Sequence, residues 1–408
     1  MDYRRGVGAG QDGPVITLDR LAATGALPAP LLVVDLEAFD RNAAELLRRS
    51  GGRPLRLATK SVRVPVLVER ALAAGFTGLM AYSLAEALWW SERVDDVLVG
   101  YPSVDRTAIS RLVRDARARE RVTVMVDDVA HLEFLAGAVA EAGDEGGPVR
   151  VCVDVDASLR LGPVHLGVRR SPLRTGEEVA AIAREAVRRG LQVRGLMFYE
   201  AQVAGLPDTS PAVGVVKRLS LAELLRRRAE VVAAVEAELG EPVELVNGGG
   251  TGSVAATAAD PAVTEVTSGS GLLSPTLFDG YRLRPGERRL EPAAFVGLDV
   301  VRRPAPGFVT AFSGGFVASG PASRSRLPRP VLPEGLRLTG TEGAGEVQTP
   351  LRGAAARGLQ VGDRVWFRHA KAGEVMERFA EVVLVSGPAG AVVVESVPTY
   401  RGLSLCFG

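Results

Sequence analysis

The chain has 408 residues, 47% of them apolar and 24% charged, with a formal net charge of +1. That balance fits a globular protein of more than one domain and argues against the broad basic field that binds nucleic acid or a membrane surface. No apolar run is long enough to cross a bilayer, and the opening MDYRRGVGAGQDG lacks the apolar core of a secretion signal. The two cysteines, Cys152 and Cys406, form no CxxC pattern or disulfide framework, which suits a reducing, cytoplasmic setting.

Residues 1–29 are expected to pack on a β domain or to start it. From residue 30 to residue 282, β-like runs alternate with helical stretches. The β runs are LLVVD (31–35), LRLATK (55–60), GLMAYS (78–83), DVLVGYP (96–102), VTVMVDD (122–128), VRVCVDVD (149–156), VRGLMFYE (193–200) and VELVNGGGTG (243–252). Between them lie segments with helical spacing such as Phe39 to Arg49, Val64 to Ala74, Leu84 to Glu92 and Glu177 to Arg189. Strands alternating with helices predict a parallel sheet, and eight such units match a closed (β/α)₈ barrel. After Tyr281 the helical period fades and short valine-rich runs with Gly and Pro take over, as in residues 293–301, 307–312, 363–369 and 380–387. Residues 283–408 therefore read as a C-terminal antiparallel β domain.

Parallel barrels carry their chemistry at the C-terminal ends of the strands. There stand Lys60, Ser83, Tyr101, Asp127, Asp154, Asp156, Tyr199 and the glycine-rich run after Val246. Lys60 is one of only three lysines, with Lys217 and Lys371, in a chain that otherwise uses arginine. A lysine aimed into a barrel mouth is desolvated, which frees its amine to attack a carbonyl. The alternative is a surface lysine in a loop. NGGGTGS (247–253) follows a strand and precedes a plausible helix, so its backbone N–H groups can meet a phosphate; TSGSG (267–271) offers a second set. The alternative there is a plain glycine turn. Of the three histidines, His131 reads as structural, while His165 and His369 stand near polar motifs. Lys371 follows His369 by two residues and is expected on the same face of a strand.

LLVVDLEAFDRN, LRLATKSVRVPVL, GLMAYSLAEA, VLVGYP, VNGGGTGS and FRHAKAGE, in this order, resemble the fold-type III pyridoxal-phosphate (PLP) enzymes. The nearest branch is the D-threonine aldolase and D-serine dehydratase group, including the bacterial amino acid deaminase/aldolase proteins. The resemblance runs from about Pro30 to Tyr400. It implies that Lys60 holds PLP as a Schiff base and that Tyr199 lies near the cofactor. It also implies that Gly249, Gly250, Thr251, Gly269 and Ser270 hold its phosphate. His165 stands where the family usually has an arginine beside the cofactor ring, and Gln202 where relatives often have histidine. Metal-dependent members bind a divalent ion through a histidine and an acid or cysteine two residues on. Here that pair is His369 and Lys371, and a protonated ammonium cannot ligate a metal. Lys371 is expected to replace the cation, with His369 as its acid/base partner.

The resemblance implies a lyase acting on a D-β-hydroxy amino acid, by aldol cleavage or by dehydration and deamination, in a homodimer. Two other enzymes remain open. One is a racemase, with Tyr281 or Tyr400 as a second base; the other is a biosynthetic aldolase joining a glycine-derived carbanion to an aldehyde. A PLP-carrier protein is the non-enzymatic alternative, although such proteins are usually a single barrel.

Overall fold

In the computed structural model, residues 21, 24–143, 147–208, 210–321, 323–387 and 393–408 are described. The first strands are β1 (Leu31–Asp35), β2 (Leu55–Ala58), β3 (Leu79–Ala81), β4 (Val97–Val99), β5 (Val122–Val126) and β6 (Arg150–Asp154). They are followed by β7 (Leu159–Leu161), β8 (Val164–Leu166), β9 (Gln192–Phe198), β10 (Leu245–Gly248) and β11 (Glu265–Ser268). Eight of them close a parallel barrel in the order β10-β11-β2-β3-β4-β5-β6-β9. β7 and β8 form a small antiparallel hairpin between β6 and β9.

The helices between the strands start where the sequence supplies caps. Asp35, Ser83, Asp105 and Asp128 each accept a backbone N–H of the turn that follows, and Thr175 with Glu178 makes a capping box. The barrel interior is apolar in its middle, where Leu98, Met125, Cys152, Met197 and Leu245 pack together with Met80 and Tyr199 against them. One layer of it is ionic. The fully buried Arg56 bonds Glu265 and Asp96, and Arg194 bonds Asp96 from another strand. Burial of that kind is tolerated only when every charge is answered.

The β domain holds β12 (Ala294–Ala305), β13 (Phe308–Phe312), β14 (Arg329–Leu332), β15 (Arg337–Leu338), β16 (Gln348–Arg352), β17 (Arg364–Arg368), β18 (Glu381–Ser386) and β19 (Val393–Pro398). Its sheet runs β15-β16-β13-β12-β1-β18-β19, with β17 against β12 and β14. The architecture is thus an α/β barrel with a separate, largely antiparallel sheet, as expected, but two strands exchange roles. β1, read as the first barrel strand, lies in the second sheet, antiparallel to β12 and parallel to β18. LLVVD is apolar at four of its five positions, so its pattern says that it is buried and not in which sheet. The eighth barrel strand is instead β11, EVTS, whose polar residues hid it: Glu265 and Thr267 serve the ionic layer and its neighbour Asn247.

Most of the N-terminal segment lies outside the described residues. Leu21 and Leu27 of its described part pack with Leu31, Val33, Phe295 and Trp366, and Arg364 donates to the carbonyls of Thr24 and Leu27. No helix among the described residues is long and apolar enough to cross a membrane.

Candidate active site

Lys60 follows the end of β2 in a single 3₁₀ turn, Thr59–Ser61. Its side chain enters a cavity of about 540 Å³ at the barrel mouth. There Nζ donates to the Tyr101 hydroxyl at 2.7 Å and lies 6.0 Å from the Tyr199 ring centre. Burial raises the Tyr101 phenol, but the ammonium of Lys60 and the charges of Arg170 and Lys371 outweigh it, leaving the group below its ordinary pKa. Tyr199 is pushed the other way, chiefly by burial.

Both glycine-rich runs line the same cavity, through Gly249, Gly250, Thr251, Ser268, Gly269 and Ser270. Their hydroxyls form two pairs. Thr251 Oγ1 lies 2.8 Å from Ser268 Oγ, and Ser270 Oγ lies 3.0 Å from Ser61 Oγ beside Lys60. Gly269 must be glycine, because a Cβ there would stand 2.6 Å from the Ala58 carbonyl. The β domain closes the other side. Gly373 packs so tightly on the Lys60 carbonyl that a Cβ would overlap it at 1.8 Å. Arg63 bridges the gap, donating to Lys60 O at 3.1 Å and pairing with Glu377 at 2.9 Å. Lys371 therefore reaches the cavity that holds Lys60, and donates to Ser319 Oγ at 3.3 Å.

Several expectations need correction. His165 lies in the β7–β8 hairpin, paired opposite Arg160, and does not line the cavity. Arg170 stands there instead. Its guanidinium is 5.0 Å from the Tyr101 ring centre and 5.5 Å from that of Tyr199, and bonds Asp154 at 3.1 Å and the Gly100 carbonyl at 2.9 Å. In a chain so rich in arginine, nothing in VHLGVRRSP separates Arg170 from its neighbours. Gln202 is buried and donates to the Ala157 carbonyl at 2.7 Å, a structural bond.

β17 ends at Arg368, so His369 and Lys371 do not share a strand face. His369 is 3% exposed, and neither ring nitrogen has a hydrogen-bond partner among the described residues. The expected His369–Lys371 pair is not formed. Among the described residues no group of three or more His, Cys, Asp or Glu side chains is disposed to hold a metal ion. Tyr400 is fully buried, accepting from Trp90 Nε1 and donating to Glu86, both at 2.7 Å. Tyr281 donates to the Ala204 carbonyl at 2.9 Å. Neither tyrosine lines this chain's cavity. Ser83 caps a helix, Asp127 sits against His131, and Asp156 holds Ser158 and Arg160.

Burial, and then the charge of Arg368, lower His369 to about 3. The unfolded chain binds a proton below about 6.5 that the folded chain refuses, so stability is full above that pH and is lost as pH falls toward 3. Glu86 and Asp154, raised by burial to about 7 and about 6, titrate in the opposite sense. The difference between wild type and His369→Asn is therefore the useful readout. Denaturant titrations between pH 7 and pH 4 should show the variant losing up to about 1.4 kcal/mol less per pH unit.

No family model matches the sequence. A D-threonine aldolase from Arthrobacter sp is 27% identical over 292 residues, covering 70% of this chain and 71% of that protein. The crystal structure of D-threonine aldolase from Filomicrobium marinum superposes with a TM-score of 0.77 at 24% identity, covering 93% of this chain and 97% of that one. D-threo-3-hydroxyaspartate dehydratase from Delftia sp. HT23 gives 0.71 at 21% identity, covering 92% and 98%. The chain has the fold-type III architecture. Within that architecture, Lys60, Tyr199 and the two glycine-rich loops come to one cavity, and the β domain supplies its outer wall.

A further residue escaped notice beside Tyr199. Glu200 is fully buried. It accepts from Gly249 N at 3.1 Å and Ser253 Oγ at 2.8 Å, and also bonds Thr257 Oγ1. The first glycine loop is thus tied to the strand end that carries Tyr199.

Proposed function

We propose that this protein is a PLP-dependent lyase of a D-β-hydroxy amino acid. The observation that carries the reading is the convergence of Lys60, the two glycine and hydroxyl loops and Lys371 on one cavity. The residues fit the cofactor. Lys60 offers an amine in a walled site, Thr251, Ser268 and Ser270 offer hydroxyls for a phosphate, and Arg170 and Tyr199 would stand beside the bound group. The D-threonine aldolase and dehydratase relatives support the substrate class.

Bound PLP supplies the sink for the electrons of the bond that breaks at the substrate α-carbon. Lys60 Nζ donates to the Tyr101 hydroxyl at 2.7 Å, so the two groups stand where a proton can pass to or from the substrate. Lys371, held toward Ser319 on the opposite wall, offers its ammonium to negative charge on the substrate. It acts without His369, whose ring is buried and does not bond it. The β domain walls one side of the cavity, a part that a single-barrel PLP carrier has no use for.

The test is product analysis of the PLP-loaded protein with D- and L-threonine and D- and L-serine. Aldehyde plus glycine, or a 2-oxo acid plus ammonia, from the D-forms alone is the expected result. Solvent-deuterium uptake with loss of chirality and no lyase product would replace the reading with a racemase.

A further inference from the structure

The cavity wall that the β domain contributes is cationic. Arg326 and Lys371 line it with Ser319 and a single acid, Glu374. Glu374 already accepts from Ser319 N at 2.9 Å. Arg326 is anchored through its main chain, whose carbonyl accepts from Ala318 N at 2.9 Å. Its guanidinium lies over Gly320, where a Cβ would come within 2.8 Å of Nε. The other arginines of the cavity are answered, Arg63 by Glu377 at 2.9 Å and Arg170 by Asp154 at 3.1 Å. Arg326 is not. Its Nε and Nη1 are buried and have no hydrogen-bond partner among the described residues. A donor left unmade is costly, and Arg326 lines the cavity with no acid among the described residues to answer its charge, so an anionic ligand in the cavity would supply what the guanidinium lacks.

We infer that Arg326, with Lys371 and Ser319, forms a subsite for a carboxylate of the amino acid that the cavity takes. The inference rests on the reading that an amino acid is the substrate. A planar guanidinium matches a carboxylate in shape and charge, and the ammonium and hydroxyl beside it add donors from a second direction. Two cations against one acid leave the wall with positive charge to spare. The carboxylate is either the α-carboxylate or an acidic group on the substrate side chain.

Calorimetric titration of the PLP-loaded protein and of Arg326→Gln with D-serine, D-aspartate and succinate separates these cases. The variant should bind succinate and D-aspartate roughly ten- to hundredfold more weakly, with its melting temperature and cofactor spectrum unchanged. Arg326→Lys, which keeps the charge, should recover part of the loss. Equal weakening of D-serine assigns the subsite to the α-carboxylate; unchanged D-serine binding assigns it to a side-chain acid. Unchanged affinity for all three compounds, or no binding of any of them by the wild type, overturns the inference. A protein that shows no cofactor spectrum contradicts the lyase reading. The succinate titration needs no cofactor and still judges the subsite.

Discussion

Replacing Lys60 with Ala is expected to lower turnover of a D-β-hydroxy amino acid by roughly 10³-fold or more, measured as product release under saturating PLP. The expectation follows from position. The amine projects from the end of β2 into the cavity, is held by Tyr101 at 2.7 Å, and stands within one turn of Ser61, which touches the second glycine loop through Ser270. Its removal takes away both the proposed attachment point for the cofactor and the donor to Tyr101. Lys217→Ala is the control. That lysine pairs with Asp208 at 2.8 Å and lies 4.7 Å from the Tyr281 ring centre, outside the cavity. Activity equal to wild type is expected of it. Full activity in Lys60→Ala would remove the proposed chemistry.

The second large effect is expected at Glu200, a residue that need not touch the substrate. Its carboxylate gathers Gly249 N, Ser253 Oγ and Thr257 Oγ1, and Arg228 stands 3.9 Å away. Glu200→Ala leaves Gly249 N and Thr257 Oγ1 without an acceptor, leaves Ser253 Oγ only a long bond to the Gly250 carbonyl at 3.4 Å, and removes one of the two acids beside Arg228, the other being Asp260. A loss of about 3–5 kcal/mol is expected in denaturant unfolding. Glu200→Gln keeps the shape and one acceptor oxygen, so about 1–2 kcal/mol is expected there. Both variants should release PLP more readily on dialysis than wild type, because the loop that meets the phosphate loses its tie. A milder Gln variant that holds PLP as wild type does would show that Glu200 supports the fold alone.

The barrel was legible because seven of its strands carry apolar or alternating runs between amphipathic helices. The exchange of β1 for β11 was not, since membership of a sheet is decided by tertiary pairing. A strand that must answer Arg56 with Glu265 cannot look like a core strand. At the site, Lys60 and the glycine loops stood out for a chemical reason. Lysine is rare here, and glycines cluster where a backbone must come close to another group, as Gly269 does to Ala58. Arg170 and Arg326 were invisible among many arginines; what distinguishes them is the ring each meets or the partner each lacks. Glu200 looked like any acid after an aromatic. The His369–Lys371 spacing suggested one strand face, but β17 stops at Arg368, so strand alternation does not govern the two side chains, and Lys371 bonds Ser319 rather than His369.

The most direct test of the account is to locate the cofactor. The protein is loaded with PLP, reduced with borohydride, digested, and the modified peptide identified by mass spectrometry. With lysines only at 60, 217 and 371, three sites can answer. Modification confined to Lys60 is the predicted result. Modification of Lys217 or Lys371 in its place, or of none of the three, would contradict the assignment of this cavity as a PLP site.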